Sequence, residues 1–180
     1  LVNQGISAEL IAKQWGLTRS ELDGLAAASH DRAARAAKDG LFDAEIVPVP
    51  TGNGSVTADQ GIRTGTTVES LAALKTPFDP NGVITAGNAS QISDGAAALL
   101  ITTSQRAAEL GLTPLARFHT FALAGVDPIM MLTGPIPATA KALQRSGLSL
   151  ADIGTFEVNE AFSSVLGAWL AETGADPAIV

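Results

Sequence analysis

The 180-residue chain contains no cysteine, and that absence removes whole classes of chemistry. It can build no disulfide framework, and it has no thiolate of its own to serve as nucleophile or soft metal ligand. Histidine is almost as scarce. His30 and His119 are the two, in Ala-Ser-His-Asp and Arg-Phe-His-Thr, too isolated to share a zinc ion. Positive charge is in short supply as well: 11 Lys and Arg face 18 Asp and Glu, a formal charge of −7. Nonspecific nucleic-acid binding, which feeds on clustered cations, is thereby disfavoured, although a local patch can still take an anionic ligand. No apolar run approaches the roughly 20 residues that cross a bilayer, and no charged segment precedes an apolar one at the N-terminus, so neither a membrane span nor a signal peptide is visible. The compartment reads as cytoplasmic. Leu1 in place of Met, and an ending on Ala178-Ile179-Val180, read as two cut ends.

What is present can build a core, since 46% of the residues are hydrophobic and 16% charged. Residues 1–42 read as helical. Thr18-Arg19-Ser20-Glu21 has capping-box spacing, Leu22, Leu25, Ala26, Ala33 and Ala36 recur at helical intervals, and Gly40 closes the segment. His30 falls on this helix as a solvated or hydrogen-bonded residue. Glu45 to Val49 is an edge-strand candidate before the turn Gly52-Asn53-Gly54, and residues 51–66 form a long aperiodic loop. Thr66 and Glu69 give a second capping-box spacing, ahead of a short helix that Pro77 stops.

From Val83 onward the rhythm changes. The pattern predicts strands over 96–101, 115–125 and 155–158, and helices over 104–110, 137–145 and 161–173, the last ended by Gly174. Such alternation predicts a layered α/β core, with the boundary to the preceding helical lobe near residues 85–95.

Three strings stand out against this frame. Asn159-Glu160-Ala161-Phe162 sits at a strand-to-helix junction, where Asn159 is either a plain N-cap or a site residue, and Glu160 either supports the site residues from behind or, the preferred reading, is a favourable acid in the first helical turn. Ala86-Gly87-Asn88-Ala89-Ser90, followed by Asp94-Gly95-Ala96-Ala97, offers small side chains that either pack a tight turn or let a slender ligand lie against backbone. Gly134-Pro135-Ile136-Pro137-Ala138 is the third. Arg63, in the long loop, is a solvated cation or a partner for phosphate and adenine.

Together these strings resemble the thiolase family, whose members condense or cleave 3-ketoacyl-coenzyme A thioesters, and the resemblance runs from Gly5-Ile6-Ser7-Ala8-Glu9 to Asp176-Pro177. It implies a thiolase-like layered α/β core with an inserted, mostly helical loop domain: residues 1–90 as the coenzyme A-binding loop domain, 91–114 as the end of the N-terminal core, and 115–180 as the start of the C-terminal core. It implies acyl transfer between coenzyme A and a 3-ketoacyl-CoA in fatty acid metabolism, with coenzyme A as substrate, no covalently bound cofactor and no metal. Partners would be acyl-CoA and further copies of the chain, in a homodimer or homotetramer. Asn159 inherits the catalytic role of holding a water that completes an oxyanion hole. Arg63 and Ser70 inherit the adenosine end of coenzyme A, Ser90 and Ala86 the pantetheine arm, and Phe78, Met131 and Phe162 the lining of the pantetheine and acyl tunnel. On residue type alone those last three are ordinary core positions.

The family also uses a nucleophilic Cys upstream and, downstream, a Gly-His-Pro histidine and a second Cys, none of which is here. The chain therefore reads as an interior segment of an enzyme, or alternatively as a noncatalytic thiolase-like protein that binds coenzyme A. Gln91 and Ser93 stand where many members have Gly and Asn, and Ser163-Ser164-Val165 replaces smaller residues in a way that resembles degradative thiolases. These departures leave acyl-chain preference open.

Overall fold

The structure, a computed structural model, describes residues 2–180. The helical stretch expected over 1–42 is two helices, α1 (Gln4–Gln14) and α2 (Arg19–Lys38), broken at Trp15, Gly16 and Leu17. Asn3 starts α1 by accepting the Gly5 N–H at 2.9 Å. Thr18 and Glu21 form the expected reciprocal cap on α2. The Thr18 backbone N–H and hydroxyl hold the Glu21 carboxyl below its usual range. This carboxylate's contribution is therefore present above the ordinary carboxylate pKa and is lost as the pH falls through the lowered one.

A hairpin pairs β1 (Val49–Thr51) antiparallel with β2 (Gly54–Val56), Val49 opposite Val56 and Thr51 opposite Gly54. The strand expected over 45–49 is thus displaced toward the turn, because Glu45 and Ile46 donate their N–H groups back to the Phe42 carbonyl at 2.9 and 3.1 Å. Helix α3 (Val68–Ala72) follows, and its cap is Thr67 with Ser70, not Thr66 with Glu69. Ser70 Oγ takes the Thr67 N–H at 3.0 Å and donates to the Thr67 carbonyl at 2.8 Å. Three more α-helices follow among the described residues: α4 (Ser104–Glu109), α5 (Pro135–Ser146) and α6 (Ser163–Thr173). Pro135 occupies the first turn of α5, where its missing N–H costs nothing.

Helix α6 is the centre of the packing and is apolar or small nearly all round. It buries Ser163, Ser164, Val165, Gly167, Ala168 and Trp169 against α1, α2 and α5. Ala8 and Ala12 of α1, Leu22 of α2, Ile84, Phe162 and Val165 form one cluster, with Phe78 and Leu132 packed on it. Gly5 leaves room for the Phe78 ring, which would have to move to admit a Cβ there. Polar ties orient the same elements. The Glu9 carboxylate accepts the N–H groups of Val83 and Ile84 at 2.8 and 2.9 Å, and Trp169 Nε1 donates to Thr139 Oγ1 at 2.9 Å.

The strands expected over 96–101, 115–125 and 155–158 are not formed as strands. These runs are rich in apolar residues, but a strand exists by virtue of the ladder beside it. Among the described residues these runs have no such neighbour, and Leu99 and Leu115 are 87% and 100% exposed. Side chains of α5 take up part of the backbone instead, Lys141 Nζ donating to the Leu123 carbonyl and Arg145 Nη1 to that of Phe121, both at 2.7 Å. Phe156 N–H is bound by the Ile179 carbonyl at 2.8 Å. No helix among the described residues is long and apolar enough to cross a membrane.

Candidate functional site

Two of the singled-out strings, some seventy residues apart in sequence, meet in space. Ala89 and Phe162 form an isolated antiparallel bridge, with Ser90 N–H on the Ala161 carbonyl and Ser163 N–H on the Asn88 carbonyl, each at 2.9 Å. The second bond has a structural task. The first N–H groups of a helix have no partner within it, and α6 has no side-chain cap, so the Asn88 carbonyl supplies one from outside. The cap of α6 is Phe162, which removes the plain-cap reading of Asn159, three residues earlier, and places Glu160 before the helix instead of in its first turn.

The turn that makes this bridge is held rigidly from below. Asn88 is buried, and its side chain uses its whole near-side capacity: Oδ1 accepts the Thr85 N–H at 2.9 Å, while Nδ2 donates to the Val83 carbonyl and to Asp23 Oδ1, both at 2.9 Å. Asp23, 0% exposed, takes Arg19 Nε on its other oxygen at 2.6 Å, and Arg19 reaches on to the Leu71 carbonyl of α3. One polar chain thus links α2, α3, the 85–90 turn and the start of α6. Gly87 is pressed so closely that a Cβ would lie 2.5 Å from Leu71 Cδ2.

Above the bridge lies a cleft of ≈ 230 Å³, walled by α2 on one side and by the two strings on the other. His30, Gly87, Ser90, Gln91, Glu160 and Ser163 line it. Glu160 Oε1 accepts the Ser163 hydroxyl at 2.7 Å, which fixes the carboxylate between this cleft and a second cavity of ≈ 220 Å³ under the C-terminal turn. Only the reading of Glu160 as an acid in the first helical turn is removed, because the helix starts at Ser163, later than the pattern indicates. His30, expected to be a solvated or hydrogen-bonded helix residue, is hydrogen-bonded: it lines the cleft and accepts the Arg63 N–H on Nδ1 at 3.2 Å. No local signal identifies it; only the approach of the 59–66 loop does.

Among the residues singled out in the sequence, Ser90 is on the cleft wall and Ala86 is exposed at the start of the same turn. Arg63 is exposed and tied by its backbone to the cleft's edge. Phe78 and Phe162 stack edge to face with centroids 6.3 Å apart inside the core, and Met131 is half-buried in the short turn Met131–Thr133 that packs on α1. Ser70 spends its hydroxyl on the cap of α3. Asn159 is exposed beside Glu160, and its amide has no hydrogen-bond partner among the described residues. Nor do three or more metal-ligating side chains converge anywhere among the described residues.

Comparison with known proteins identifies the family. A family model described as the thiolase N-terminal domain matches residues 2–105, and one for the thiolase C-terminal domain matches residues 112–180. The chain is 50% identical over 182 residues to the acetyl-CoA acetyltransferase of Rhizobium meliloti, covering 99% of the chain and 46% of that protein. To the 3-ketoacyl-CoA thiolase of Aliivibrio fischeri it is 48% identical over 166 residues, 89% of the chain and 43% of that protein. Among solved structures, human mitochondrial 3-ketoacyl-CoA thiolase in complex with CoA superposes with a TM-score of 0.95 at 35% identity, over 99% of this chain and 45% of that one. The acetyl-CoA acetyltransferase of Bacillus anthracis does so with a TM-score of 0.94 at 39% identity, over 99% and 46%. The chain spans about half the length of these relatives.

Proposed function

The chain belongs to the thiolase family, and from that premise we propose that it forms part of an enzyme transferring an acyl group between coenzyme A and a 3-ketoacyl-CoA, by thiolysis or Claisen condensation. The acyl group would be carried on a cysteine that these 180 residues do not supply. The observation that carries this reading is the Ala89–Phe162 bridge, which brings the small-residue turn and the Asn159 string together at one cleft.

Each residue then has a task suited to its chemistry. Thioester carbonyl chemistry places negative charge on oxygen, and donors aimed at that charge often provide the largest catalytic term. Asn159 offers a neutral amide that both donates and accepts, free of protein partners among the described residues, to hold a water at that oxygen. Ser90 and Ala86 lie along the turn whose small side chains admit the pantetheine arm. Arg63 takes the nucleotide end, and Ser70 contributes to it through its cap on α3 and not through a free hydroxyl. Phe78, Met131 and Phe162 shape the tunnel wall from the core side. The division into a loop domain over 1–90 and two core portions over 91–114 and 115–180, and assembly as a dimer or tetramer, go with the same reading.

The lack of cysteine favours a second reading, a noncatalytic coenzyme A-binding relative. The coding sequence around the chain separates the two: a Cys ahead of it and a Gly-His-Pro motif with a second Cys beyond it mean an enzyme, and their absence means a binding module. Under either reading the purified 180 residues are expected to give no thiolysis of acetoacetyl-CoA, because no thiolate is present to take the acyl group. Turnover above buffer would overturn the proposed chemistry.

Arg63 provides the test of where the nucleotide sits. Its side chain is exposed and far along the carrier from the reacting carbonyl, so ground and transition states should lose the same contact in Arg63→Ala. KM for coenzyme A is expected to rise roughly fivefold with kcat unchanged, and the difference to shrink at high salt. Substrates on pantetheine alone should not distinguish the variant from wild type. An equal loss with both carriers would remove the nucleotide end from this loop.

A further inference from the structure

We propose that His30 and Gln91 act as positioning residues, a two-point latch that holds the Arg63 loop against the rim of the cleft and so sets the affinity for the nucleotide end of coenzyme A. The inference rests on the assignment of Arg63 made above and adds the two residues that place it. The loop over 57–66 has little of its own to order it. It contains no helix or strand, most of its residues are exposed, and its internal bonds are an Asp59 carboxylate on the Gly61 N–H at 2.6 Å and a Thr66 hydroxyl on the Arg63 carbonyl at 2.8 Å. Two bonds tie it to the rest of the protein from outside. His30 Nδ1, on α2, accepts the Arg63 N–H at 3.2 Å, and Gln91 Nε2, at the end of the small-residue turn, donates to the Gly61 carbonyl at 2.6 Å. Both side chains also line the cleft.

The chemistry of each pin is specific. A neutral imidazole has one bare ring nitrogen, so accepting at Nδ1 puts the proton on Nε2 and makes the ring a fixed acceptor for the one backbone N–H that sets where the Arg63 side chain departs. Gln91 bonds Gly61, two residues away, from the opposite wall. Bonds on both sides of Ile62 fix the loop's position and its rotation, which one bond alone would leave free. Gln91 stands where the family resemblance leads one to expect glycine, which has no side chain to make this bond. The latch is accordingly half a property of this particular chain.

The test uses backbone hydrogen exchange and steady-state kinetics of the full-length enzyme, compared across His30→Ala, His30→Asn, Gln91→Gly and Arg63→Ala. Asn at position 30 keeps an acceptor oxygen where Nδ1 was. A single intramolecular hydrogen bond is worth about 1 kcal/mol, so His30→Ala is expected to speed exchange of the 59–66 amides about fivefold and to raise KM for coenzyme A severalfold at unchanged kcat. His30→Asn should restore both, and Gln91→Gly should behave like His30→Ala. Unchanged exchange in both latch variants would overturn the latch itself. Faster exchange with a KM that moves in Arg63→Ala but in neither latch variant would overturn the positioning role. Faster exchange with KM unmoved in all variants, Arg63→Ala included, would instead sink the assignment of Arg63 on which the proposal stands.

Discussion

Replacing Asn159 with alanine in the thiolase proposed above is expected to lower kcat about 100-fold while leaving affinity for coenzyme A nearly unchanged. The structure sharpens the reason. An asparagine at a helix start ordinarily serves the backbone, and its loss then appears as a stability change of about 1 kcal/mol with no kinetic signature. Here the cap position belongs to Phe162, the first amide of α6 is bound by the Asn88 carbonyl, and the Asn159 side chain is exposed with no hydrogen bond to protein among the described residues. An amide that holds up nothing in the fold is available for the reaction. Asn159→Asp separates charge from shape: the carboxylate keeps the size but presents only acceptors to a developing oxyanion, so it should be at least as slow as alanine. Normal turnover in either variant, with or without a lower melting temperature, would end the oxyanion assignment.

The parts of the fold that were legible in the sequence are those written in short-range chemistry. The Thr18–Glu21 cap, the helices around Ala107, Ala138 and Ala168, and the Gly174 terminus each follow from a few adjacent residues. The strands over 96–101, 115–125 and 155–158 failed for the opposite reason, since apolar runs specify a burial need and not the neighbour that meets it. The site shows the same division. Motif strings pointed to Ser90 and Asn159 and the long loop to Arg63, and the family resemblance implied the roles proposed for them. What escaped was long-range: His30 gained its significance from a loop 33 residues away, Ser70 lost a free hydroxyl to Thr67, and Asn88, quoted only as part of a string, is the hub of the polar chain beneath the cleft. Glu160 was placed in a helix that begins three residues later.

Asp23→Ala should be among the most damaging single changes to stability, about 3 kcal/mol, or roughly 10 °C in melting temperature for a chain of this size. Asp23 is completely buried on α2, with one oxygen on Asn88 Nδ2 at 2.9 Å and the other on Arg19 Nε at 2.6 Å. Alanine removes the shared acceptor and strands donors on two elements at once. Arg19 is partly exposed and can turn to water, so most of the cost falls on Asn88, which is sealed beneath the turn. That asymmetry makes a second variant informative. Asp23→Asn retains an oxygen for Asn88 while giving up the charge that faces Arg19, and it should cost well under half as much. A double-mutant cycle of Asp23→Ala with Asn88→Ala should be strongly non-additive, because each change destroys the same bond. Additive losses, or Asp23→Ala within about 0.5 kcal/mol of wild type, would mean that burial and not this network holds the turn. The turn carries both Ser90 and the carbonyl that starts α6, so the same variant should weaken coenzyme A binding at temperatures well below its melting point. A destabilised Asp23→Ala protein that binds as tightly as wild type would disconnect the buried network from the cleft above it.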